Sequence, residues 1–464
     1  MIQRCHSEDT NRSQIGMIQE TSWRNRKFRD LAAITNHSSK AKRRLTTKKY
    51  KFSLKLLALA MTKDKVVLAF SGGLDTSVCV KYLQMEHNMD VITTTVDCGQ
   101  DDDFDAIRRK SELLGAIKHV YVDSRTDFVE NYVAKAIRAN ALYQGKYPLA
   151  TALARPLIAS RTMEVARKEG ARYVSHGCTG KGNDQVRLDL ALRAIDPKIR
   201  IIAPIRDMNL TRDIEIKYAN EHNIPVNEET KRYSIDVNLW GRAIEGGQLE
   251  DPWFEIPDDA LHLVKKAEIS IEYIELEFEQ GIPKSADGKK MNLVDLIAYL
   301  NDKVGRHGVG IIDHVEDRIV GIKSREIYEA PAATAIIEAH RDLEKMVLTN
   351  FEFRFKQTVE EEWSWLAYSG LWFDPLREDL DTFIDATQKR VTGKVRMKLQ
   401  NGSLNVVGRK SQFSLYSNDL ATYTSKSTFD QRLAKGFVEL WGMQTVLANS
   451  LKTSDSRKEG EKIT

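Results

Sequence analysis

A short loop after the apolar segment Val66–Phe70 holds the first group of residues with an evident chemistry. The loop spans Ser71–Ser77 and reads SGGLDTS. Its two glycines allow a sharp turn that brings backbone N–H groups close to a ligand. A helix expected to begin near Thr76 directs its positive end to the same place, so the loop is predicted to bind a polyphosphate. It is not a Walker loop, because no Lys-Ser or Lys-Thr pair follows the glycines.

Three further segments are rich in side chains that bind charged small molecules. Gly177–Arg187 is the densest, since three glycines accompany Thr, Lys, Asn, Asp and Arg, although an ordinary surface loop is the alternative. Tyr147–Pro156 combines Thr, Arg and Pro, which also fits a capped helix with proline in its first turn. Arg306–Glu329 contains His-Gly-Val-Gly and many charges, which also fits a glycine turn and a charged strand.

Apolar segments that alternate with helical ones between Lys65 and Pro225 predict how these groups are brought together. The pattern is typical of a parallel sheet covered by helices on both faces, so a doubly wound α/β domain is predicted. Ligands of such sheets bind beyond the carboxyl ends of the strands. The predicted strands are Val66–Phe70, Val91–Val96, Val120–Val122, Tyr173–Ser175 and Ile199–Ala203, and the predicted helices are Thr76–Glu86, Asp103–Leu114, Asp127–Asn140, Leu153–Glu169 and Thr211–His222.

After Pro225 the alternation stops, and the sequence predicts an α+β domain. A hairpin is expected to turn at Asn401-Gly402, because this dipeptide favours a tight turn between strands. The predicted strands are Glu268–Gln280, Val391–Leu399 and Ser403–Arg409, and the predicted long helices are Ala332–Leu348 and Asp379–Lys389.

The closing segment Phe429–Ser450 has helical periodicity and an apolar stripe of Leu433, Phe437, Leu440 and Trp441. Since little of its own body remains to cover that stripe, we expect the segment to cross onto a neighbouring copy of the chain. The predicted plan has four parts: a disordered basic extension at 1–60, a nucleotide-binding domain at 61–225, a second domain at 226–428, and a C-terminal helix with a tail at 429–464.

Composition limits the class of protein. The chain has 464 residues, of which 42% are hydrophobic and 29% charged, which predicts two or three globular domains. No run of about 18 apolar residues is present, so no membrane span is predicted. The four cysteines (Cys5, Cys79, Cys98 and Cys178) include no CxxC pair, so we expect neither a zinc site nor a disulfide framework, and a reducing, cytosolic setting.

Charge is distributed unevenly along the chain. Residues 1–60 contain fourteen basic and four acidic residues, which is +10, whereas residues 61–464 contain 56 basic and 62 acidic residues, which is −6. The basic segment lacks apolar periodicity and is expected to be mobile. The favoured interpretation is an over-extended reading frame that truly starts at Met61; a nucleic-acid-binding arm and an organelle-targeting segment remain open.

The SGGLDTS loop resembles that of the N-type ATP pyrophosphatases, which cleave ATP between the α and β phosphates and adenylate a substrate. With the three polar segments in this order, the sequence resembles the argininosuccinate synthase family over essentially all of Lys65–Thr445. The resemblance implies an adenine nucleotide alpha hydrolase-like domain, and ATP-dependent ligation of citrulline and aspartate with release of AMP and pyrophosphate through a citrulline-adenylate. It further implies Mg²⁺, a cytoplasmic homotetramer, and neither nucleic acid nor a membrane as partner.

The resemblance also gives roles to residues of this chain. ATP is expected to contact Ala69, Phe70, Ser71, Gly72, Gly73, Leu74, Asp75, Thr76, Ser77, Val96 and Gly177. Aspartate is expected to bind Thr179, Asn183 and Asp184, and citrulline to bind Tyr147, Asn183, Arg187, Ser234, Glu316 and Tyr328. No acid–base relay is expected, because the phosphoryl step needs positioning and charge neutralisation. The protein ligands of a metal ion are left undefined.

The chain departs from the family pattern at four positions. Ala152 and Ala243 stand where many members have a serine that contacts citrulline, Leu188 stands in place of a usual Phe, and Glu326 in place of a common Gly. Each missing hydroxyl is expected to weaken citrulline binding by about 0.5–1.5 kcal/mol. The charged anchors are unaffected, so the expected reaction is unchanged.

Two other functions remain open at this point. One is a tRNA-modifying adenylating enzyme of the same superfamily, in which the basic extension contacts RNA; the negative charge of residues 61–464 argues against it. The other is a non-catalytic ATP-binding module, which would not need the polar residues of Thr179–Arg187, nor Glu316 and Tyr328. A glutamine-dependent synthetase would need a glutaminase domain, for which the extension is too short.

Overall fold

The computed structural model describes residues 63–225, 233–265 and 270–460, with residues 453–460 as backbone only. The predicted extension at 1–60 and the expected domain junction near residue 226 lie outside the described residues. From Asp64 onward the described residues belong to one compact unit.

The first half of this unit builds the parallel sheet that the sequence predicts. The five strands lie in the order β3-β2-β1-β4-β5, so the strand order reverses between β1 and β4. The loops that follow β1 and β4 therefore leave the sheet side by side, at the edge where ligands bind. The strands are β1 (Lys65–Ala69), β2 (Asp90–Asp97), β3 (Lys118–Asp123), β4 (Tyr173–Ser175) and β5 (Arg200–Ile202).

Helices cover both faces of this first sheet. On β1, Val66 and Leu68 pack with Val78 of the following helix, whereas Val67 packs on the opposite face with Met163. This two-sided burial confirms the doubly wound fold. The helices are α1 (Leu74–Met85), α2 (Phe104–Leu113), α3 (Arg125–Asp127, a π-helical Phe128–Val133, and Ala134–Arg138), α4 (Ala150–Glu169), α5 (Asp184–Ile195), α6 (Pro204–Asp207) and α7 (Arg212–Glu221).

Two helix starts differ from the interpretations that the sequence allowed. Helix α4 begins at Ala150, so Pro156 lies in its second turn, and the capped helix with a first-turn proline is wrong. Helix α5 begins at Asp184, inside the segment that could have been a surface loop. Asp184 and Arg187 therefore project from the first turn of a helix, which fixes them better than a loop would.

Antiparallel strands dominate residues 234–410, as an α+β domain requires. The second sheet has the order β11-β12-β7-β6, and the third has the order β10-β9-β8-β13-β14. The strands are β6 (Ser234–Asn238), β7 (Gly241–Glu245), β8 (Glu272–Glu279), β9 (Ile282–Ala286), β10 (Lys289–Lys290), β11 (Ile311–Asp317), β12 (Lys323–Glu329), β13 (Gly393–Gln400) and β14 (Ser403–Lys410).

Two glycine turns in this half have specific structural reasons. The β13–β14 hairpin turns where predicted, with φ of 50° at Asn401 and 76° at Gly402, as a type I′ turn requires. Gly310 ends the His-Gly-Val-Gly motif at φ 110°, and a Cβ there would lie 2.6 Å from the backbone nitrogen of Pro331. The motif therefore lets strand β11 start directly against the helix that begins at Pro331.

The remaining helices pack around α9, whose Ala332, Ile336 and Leu343 are fully buried. Helix α10 begins with a reciprocal capping box between Thr349 and Glu352. Among the described residues, no helix is both long enough and apolar enough to cross a lipid bilayer. The helices are α8 (Leu293–Gly305), α9 (Pro331–Val347), α10 (Asn350–Tyr368), α11 (Pro375–Gln388), α12 (Asn418–Ala421), α13 (Leu433–Trp441) and α14 (Met443–Gly460).

Candidate active site

The loop Ser71–Ser77 is shaped for an anion by its backbone. Gly72 has a φ of 80°, and its carbonyl oxygen accepts a hydrogen bond of 2.7 Å from Lys110 Nζ. Ser77 Oγ donates to the carbonyl oxygen of Gly73 at 2.6 Å. No side chain caps the N-terminus of α1, so its first-turn N–H groups are available to a phosphate.

The other expected ATP contacts surround this loop. Thr95 Oγ1 donates to the Phe70 carbonyl oxygen at 2.6 Å, which fixes the end of β2, and therefore Val96, beside the loop. Gly177 lies directly against α1, because a Cβ on it would be 3.2 Å from the backbone nitrogen of Thr76. The expected ATP residues from Ala69 to Ser77, Val96 and Gly177 are thus brought to one edge of the first sheet.

The neighbouring polar side chains form a second group, whose members are buried or half-buried. Two arginines and a carboxylate lie at its centre: Asp184 accepts hydrogen bonds of 2.6 Å from Arg155 and 2.9 Å from Arg187. Arg155 also pairs with Asp236 of β6. We call this group the polar cluster; its members are Arg155, Asn183, Asp184, Arg187, Asp236, Glu316, Tyr328 and Tyr368.

Charge pairing decides the ionisation of Asp184. Burial alone would raise its pKa, but Arg155 and Arg187 outweigh that effect and lower it to about 2. Asp184 is therefore a carboxylate throughout the neutral pH range.

Arg187 is buried and held in a single orientation. Its Nε donates to the Tyr368 carbonyl oxygen at 2.9 Å, and its guanidinium lies 4.8 Å from the centre of the Tyr368 ring. Among the described residues, nothing accepts a hydrogen bond from its buried Nη2 atom. Because an unpaired buried donor costs about 1–3 kcal/mol, a ligand oxygen beside this atom would be favoured.

Tyrosines surround the expected citrulline residues. Tyr147 stacks on Tyr328 with 4.1 Å between ring centres, and its hydroxyl pairs with Thr151. Tyr328 donates to Glu316 Oε2 at 2.7 Å. Burial raises the pKa of Glu316, although hydrogen bonds from Tyr368 and Tyr328 oppose the rise.

Tyr368 was not anticipated from the sequence. Its hydroxyl lies 2.7 Å from Asn183 Nδ2 and 2.6 Å from Glu316 Oε1. Asn183 Oδ1 in turn accepts a 2.8 Å bond from the backbone nitrogen of Ile319. The tyrosine ends helix α10, where nothing in the neighbouring residues marks it, so only the tertiary structure identifies it.

Two residues expected to bind the amino-acid substrates lie on the surface, whereas the others are buried or half-buried. Thr179 and Ser234 are both exposed. Ser234 begins β6, two residues before Asp236, so both lie on the same face of that strand. Thr179 lies in the loop between β4 and α5, two residues before Lys181. The carbonyl oxygen of Lys181 accepts a hydrogen bond of 3.2 Å from Arg318.

The four departures from the family pattern fit without visible conflict. Ala152 and Leu188 are buried, and Ala243 pairs with Tyr328 across β7 and β12. The charge of Glu326 is matched by Arg318 at 2.6 Å, and Arg318 also pairs with Glu245. Burial and the charge of Glu326 raise the pKa of Glu245 to about 7.

Within the described ranges, no group of three or more His, Cys, Asp or Glu side chains is arranged to hold a metal ion. Asp75, the acid of the glycine loop, pairs with Arg212 at 2.9 Å.

The strand order and the glycine loop define a nucleotide-binding α/β enzyme, and the polar cluster beside the loop suits charged amino-acid substrates. Residues 65–225 match the family model described as the N-terminal HUP domain of arginosuccinate synthase, and residues 233–448 match the model of its C-terminal domain. The chain therefore belongs to the argininosuccinate synthase family and is a ligase.

Individual relatives agree with the family models. The argininosuccinate synthase of Pyrococcus furiosus is 55% identical over 390 residues, which cover 83% of this chain and 95% of that protein. Those of Dictyoglomus turgidum and Saccharolobus solfataricus are 53% and 48% identical over 388 residues each, and cover 98% and 99% of those proteins. The resemblance found from the motifs is confirmed, and neither a tRNA-modifying enzyme nor a non-catalytic module is favoured.

Proposed function

We propose that this chain joins citrulline to aspartate with the consumption of ATP, and that the site assembled above carries out both steps. The observation that supports it most directly is the polar cluster, in which Arg187 and Glu316 offer opposite charges beside the phosphate loop. A zwitterionic amino acid needs such a pair, with a guanidinium N–H for its carboxylate, here the unpaired Nη2 of Arg187, and an acceptor for its ammonium.

The first step activates citrulline. Its ureido oxygen attacks the α-phosphorus of ATP, a bond to that phosphorus forms, and the bond from it to the bridging oxygen of pyrophosphate breaks. The step needs alignment and charge neutralisation rather than a strong base. The uncapped N-terminus of α1 supplies backbone N–H donors to the departing pyrophosphate.

The second step forms the carbon–nitrogen bond. The amine of aspartate attacks the activated ureido carbon, AMP leaves with the oxygen, and argininosuccinate results. Asp184 is charged and partly accessible, so it can hold the aspartate ammonium until that group loses its proton. Arg155 and Lys181 are the cations available to the carboxylates of aspartate.

The residue assignments follow from the same arrangement. We assign ATP to Ala69–Ser77, Val96 and Gly177, aspartate to Thr179, Asn183 and Asp184, and citrulline to Tyr147, Asn183, Arg187, Ser234, Glu316 and Tyr328. We expect Mg²⁺ to arrive with the phosphates of ATP, because it keeps most of its ligands from phosphate and water. Residues 61–225 would hold the nucleotide, and residues 226–428 would complete the amino-acid pockets.

The C-terminal helices support association with other copies of the chain, for which the family resemblance suggests four subunits. Leu433, Phe437, Leu440 and Trp441 are 69%, 59%, 72% and 78% exposed on α13, which makes an apolar surface too large to be left in water. We propose that Phe429–Ser450 packs on neighbouring copies in the cytoplasm, where the free thiols of Cys79, Cys98 and Cys178 stay reduced. Light scattering at micromolar concentration should give four subunits, and a monomer would contradict this assembly.

Exchange of labelled pyrophosphate into ATP tests the reaction. We expect the purified chain to catalyse exchange only when citrulline is present, because adenylation precedes aspartate attack. Addition of aspartate should then yield AMP and argininosuccinate in equal amounts. Exchange that requires tRNA, or ATP binding without exchange under any condition, would contradict the proposal and identify one of the two alternatives.

A further inference from the structure

Tyr368, the last residue of α10, connects groups from two other elements, the start of α5 and strand β11. Its hydroxyl accepts a hydrogen bond from Asn183 Nδ2 at 2.7 Å and donates to Glu316 Oε1 at 2.6 Å. A phenol has a single proton to donate. The Glu316 carboxylate is the closer and charged acceptor, so the Tyr368 hydroxyl donates to it rather than to the Asp317 carbonyl oxygen at 3.1 Å.

The same residue also fixes Arg187. Its carbonyl oxygen accepts from Arg187 Nε at 2.9 Å, and its ring lies beneath the guanidinium. Two residues further, Gly370 approaches so closely that a Cβ on it would lie 2.9 Å from the Arg187 Cα atom. The C-terminal end of α10 is thus fitted against the first turn of α5.

We infer that Tyr368 is a positioning residue for the citrulline pocket: its hydroxyl holds the Glu316 carboxylate and the Asn183 amide in place, so that citrulline meets prearranged partners. This inference rests on the function proposed above. Tyr368 acts through Asn183 and Glu316, and needs no contact of its own with the substrate.

The hydroxyl also keeps Glu316 in the form that binds an ammonium. With Tyr328 on Oε2 and Tyr368 on Oε1, each carboxylate oxygen has one phenol donor and retains a lone pair for a ligand. Loss of a donor to the charged form raises the pKa of a carboxyl group. The titratable and charged groups around Glu316 are Tyr143, Tyr147, Arg187, Arg318, Glu326, Tyr328 and Tyr368.

Tyr368→Phe is the decisive variant, since it keeps the ring and the backbone carbonyl and removes only the hydroxyl. We expect the KM for citrulline to rise about 10- to 100-fold, as for a lost hydrogen bond to a charged group, with the KM for ATP unchanged. The acid limb of kcat/KM for citrulline should move to higher pH by about one pH unit, because protonated Glu316 cannot accept the ammonium.

Tyr143→Phe is the matched control. Tyr143 stacks on the Tyr368 ring with 3.4 Å between ring centres, and its hydroxyl donates to the Asp317 carbonyl oxygen at 2.8 Å. This variant removes a phenol oxygen from the same stack and leaves the Tyr368 hydroxyl on Glu316. Its citrulline KM and pH profile should stay within about twofold of those of the unmodified chain.

A double variant tests whether Tyr368 acts through Glu316. Added to Glu316→Gln, Tyr368→Phe should raise the citrulline KM much less than it does alone. A folded Tyr368→Phe protein with unchanged citrulline KM and pH profile would overturn the inference, as would equal losses toward all three substrates with a lowered melting temperature. If the unmodified chain shows no citrulline-dependent exchange, the proposed function fails first, and the inference fails with it.

Discussion

The phosphate loop and the polar cluster lie side by side but are built in opposite ways. The loop takes its donors from consecutive backbone groups after one strand, so few side chains matter, whereas a Cβ on Gly72 would be strained by its positive φ and would lie 3.1 Å from Ile107. The polar cluster takes its groups from α4, α5, β6, β11, β12 and α10, and each charge in it is held by an opposite charge or by phenol hydroxyls. A site made of backbone is sensitive to bulk, whereas a site made of paired side chains is sensitive to the loss of any one partner.

The largest expected effect is in the polar cluster. Arg187→Ala should lower kcat/KM for citrulline about 30- to 1000-fold, or about 2–4 kcal/mol, because the ligand carboxylate and Asp184 both lose a buried cation. The KM for ATP should stay within about twofold. Steady-state kinetics at saturating ATP and aspartate measure both quantities.

Arg187→Lys sharpens the result, since it keeps the charge and loses the planar guanidinium. Its kcat/KM for citrulline should lie between the values of the unmodified chain and of Arg187→Ala. Arg161→Ala is the control, because the ion pairs of Arg161 with Asp127 and Glu164 lie outside the polar cluster. An Arg187→Ala protein that loses ATP affinity instead would show that the two regions are not separate.

The next effect belongs to the loop. Gly177→Ala would place a Cβ 3.0 Å from Thr76 Cγ2 and 3.2 Å from its backbone nitrogen, so the start of α1 must shift. We expect the KM for ATP to rise about tenfold and the citrulline KM to stay unchanged. Gly408→Ala is the control, since its Cβ would meet only Arg396 Cβ at 3.7 Å. Equal effects of the two alanines would contradict the steric argument.

Asp184→Asn should have a smaller effect than Arg187→Ala, because the amide still accepts hydrogen bonds. About a tenfold rise is expected in the KM for aspartate, with a lesser rise for citrulline, and ATP binding should be spared. Since the pKa of Asp184 is held at about 2, the wild-type carboxylate is charged from pH 6 to pH 9. The ratio of wild-type to variant kcat/KM should therefore be constant over that range, and a ratio that varies with pH would refute the assignment.

The smallest effect concerns the missing hydroxyls. Ala152→Ser and Ala243→Ser should each lower the citrulline KM by tenfold at most, because a neutral hydrogen bond contributes less than a charged one. Citrulline titrations at fixed ATP compare them with Arg187→Ala. If either serine changes citrulline affinity more than the loss of Arg187 does, the ranking of charge above hydroxyl in this pocket is wrong.

The contrast between a loop built from consecutive backbone groups and a cluster built from distant side chains also explains what the sequence could predict. Strands, covering helices and the loop Ser71–Ser77 follow from local patterns, and the structure confirms the parallel sheet that they predict. The motifs also placed Asn183, Asp184 and Arg187 on one segment. Tyr368 could not be found, because its role depends on α10 reaching α5 across the fold.

The unpaired Nη2 of Arg187, described above, connects binding with the stability of the whole chain. The site where a ligand oxygen accepts a hydrogen bond from this buried guanidinium exists only in the folded protein. Ligand binding must therefore raise the free energy of unfolding. With citrulline at a hundred times its dissociation constant, the gain is about 2.7 kcal/mol, which for a chain of this size is a rise of about three degrees in melting temperature. Abundant substrate would then protect the enzyme from proteolysis, so the supply of citrulline would set how long each molecule survives as well as how fast it works.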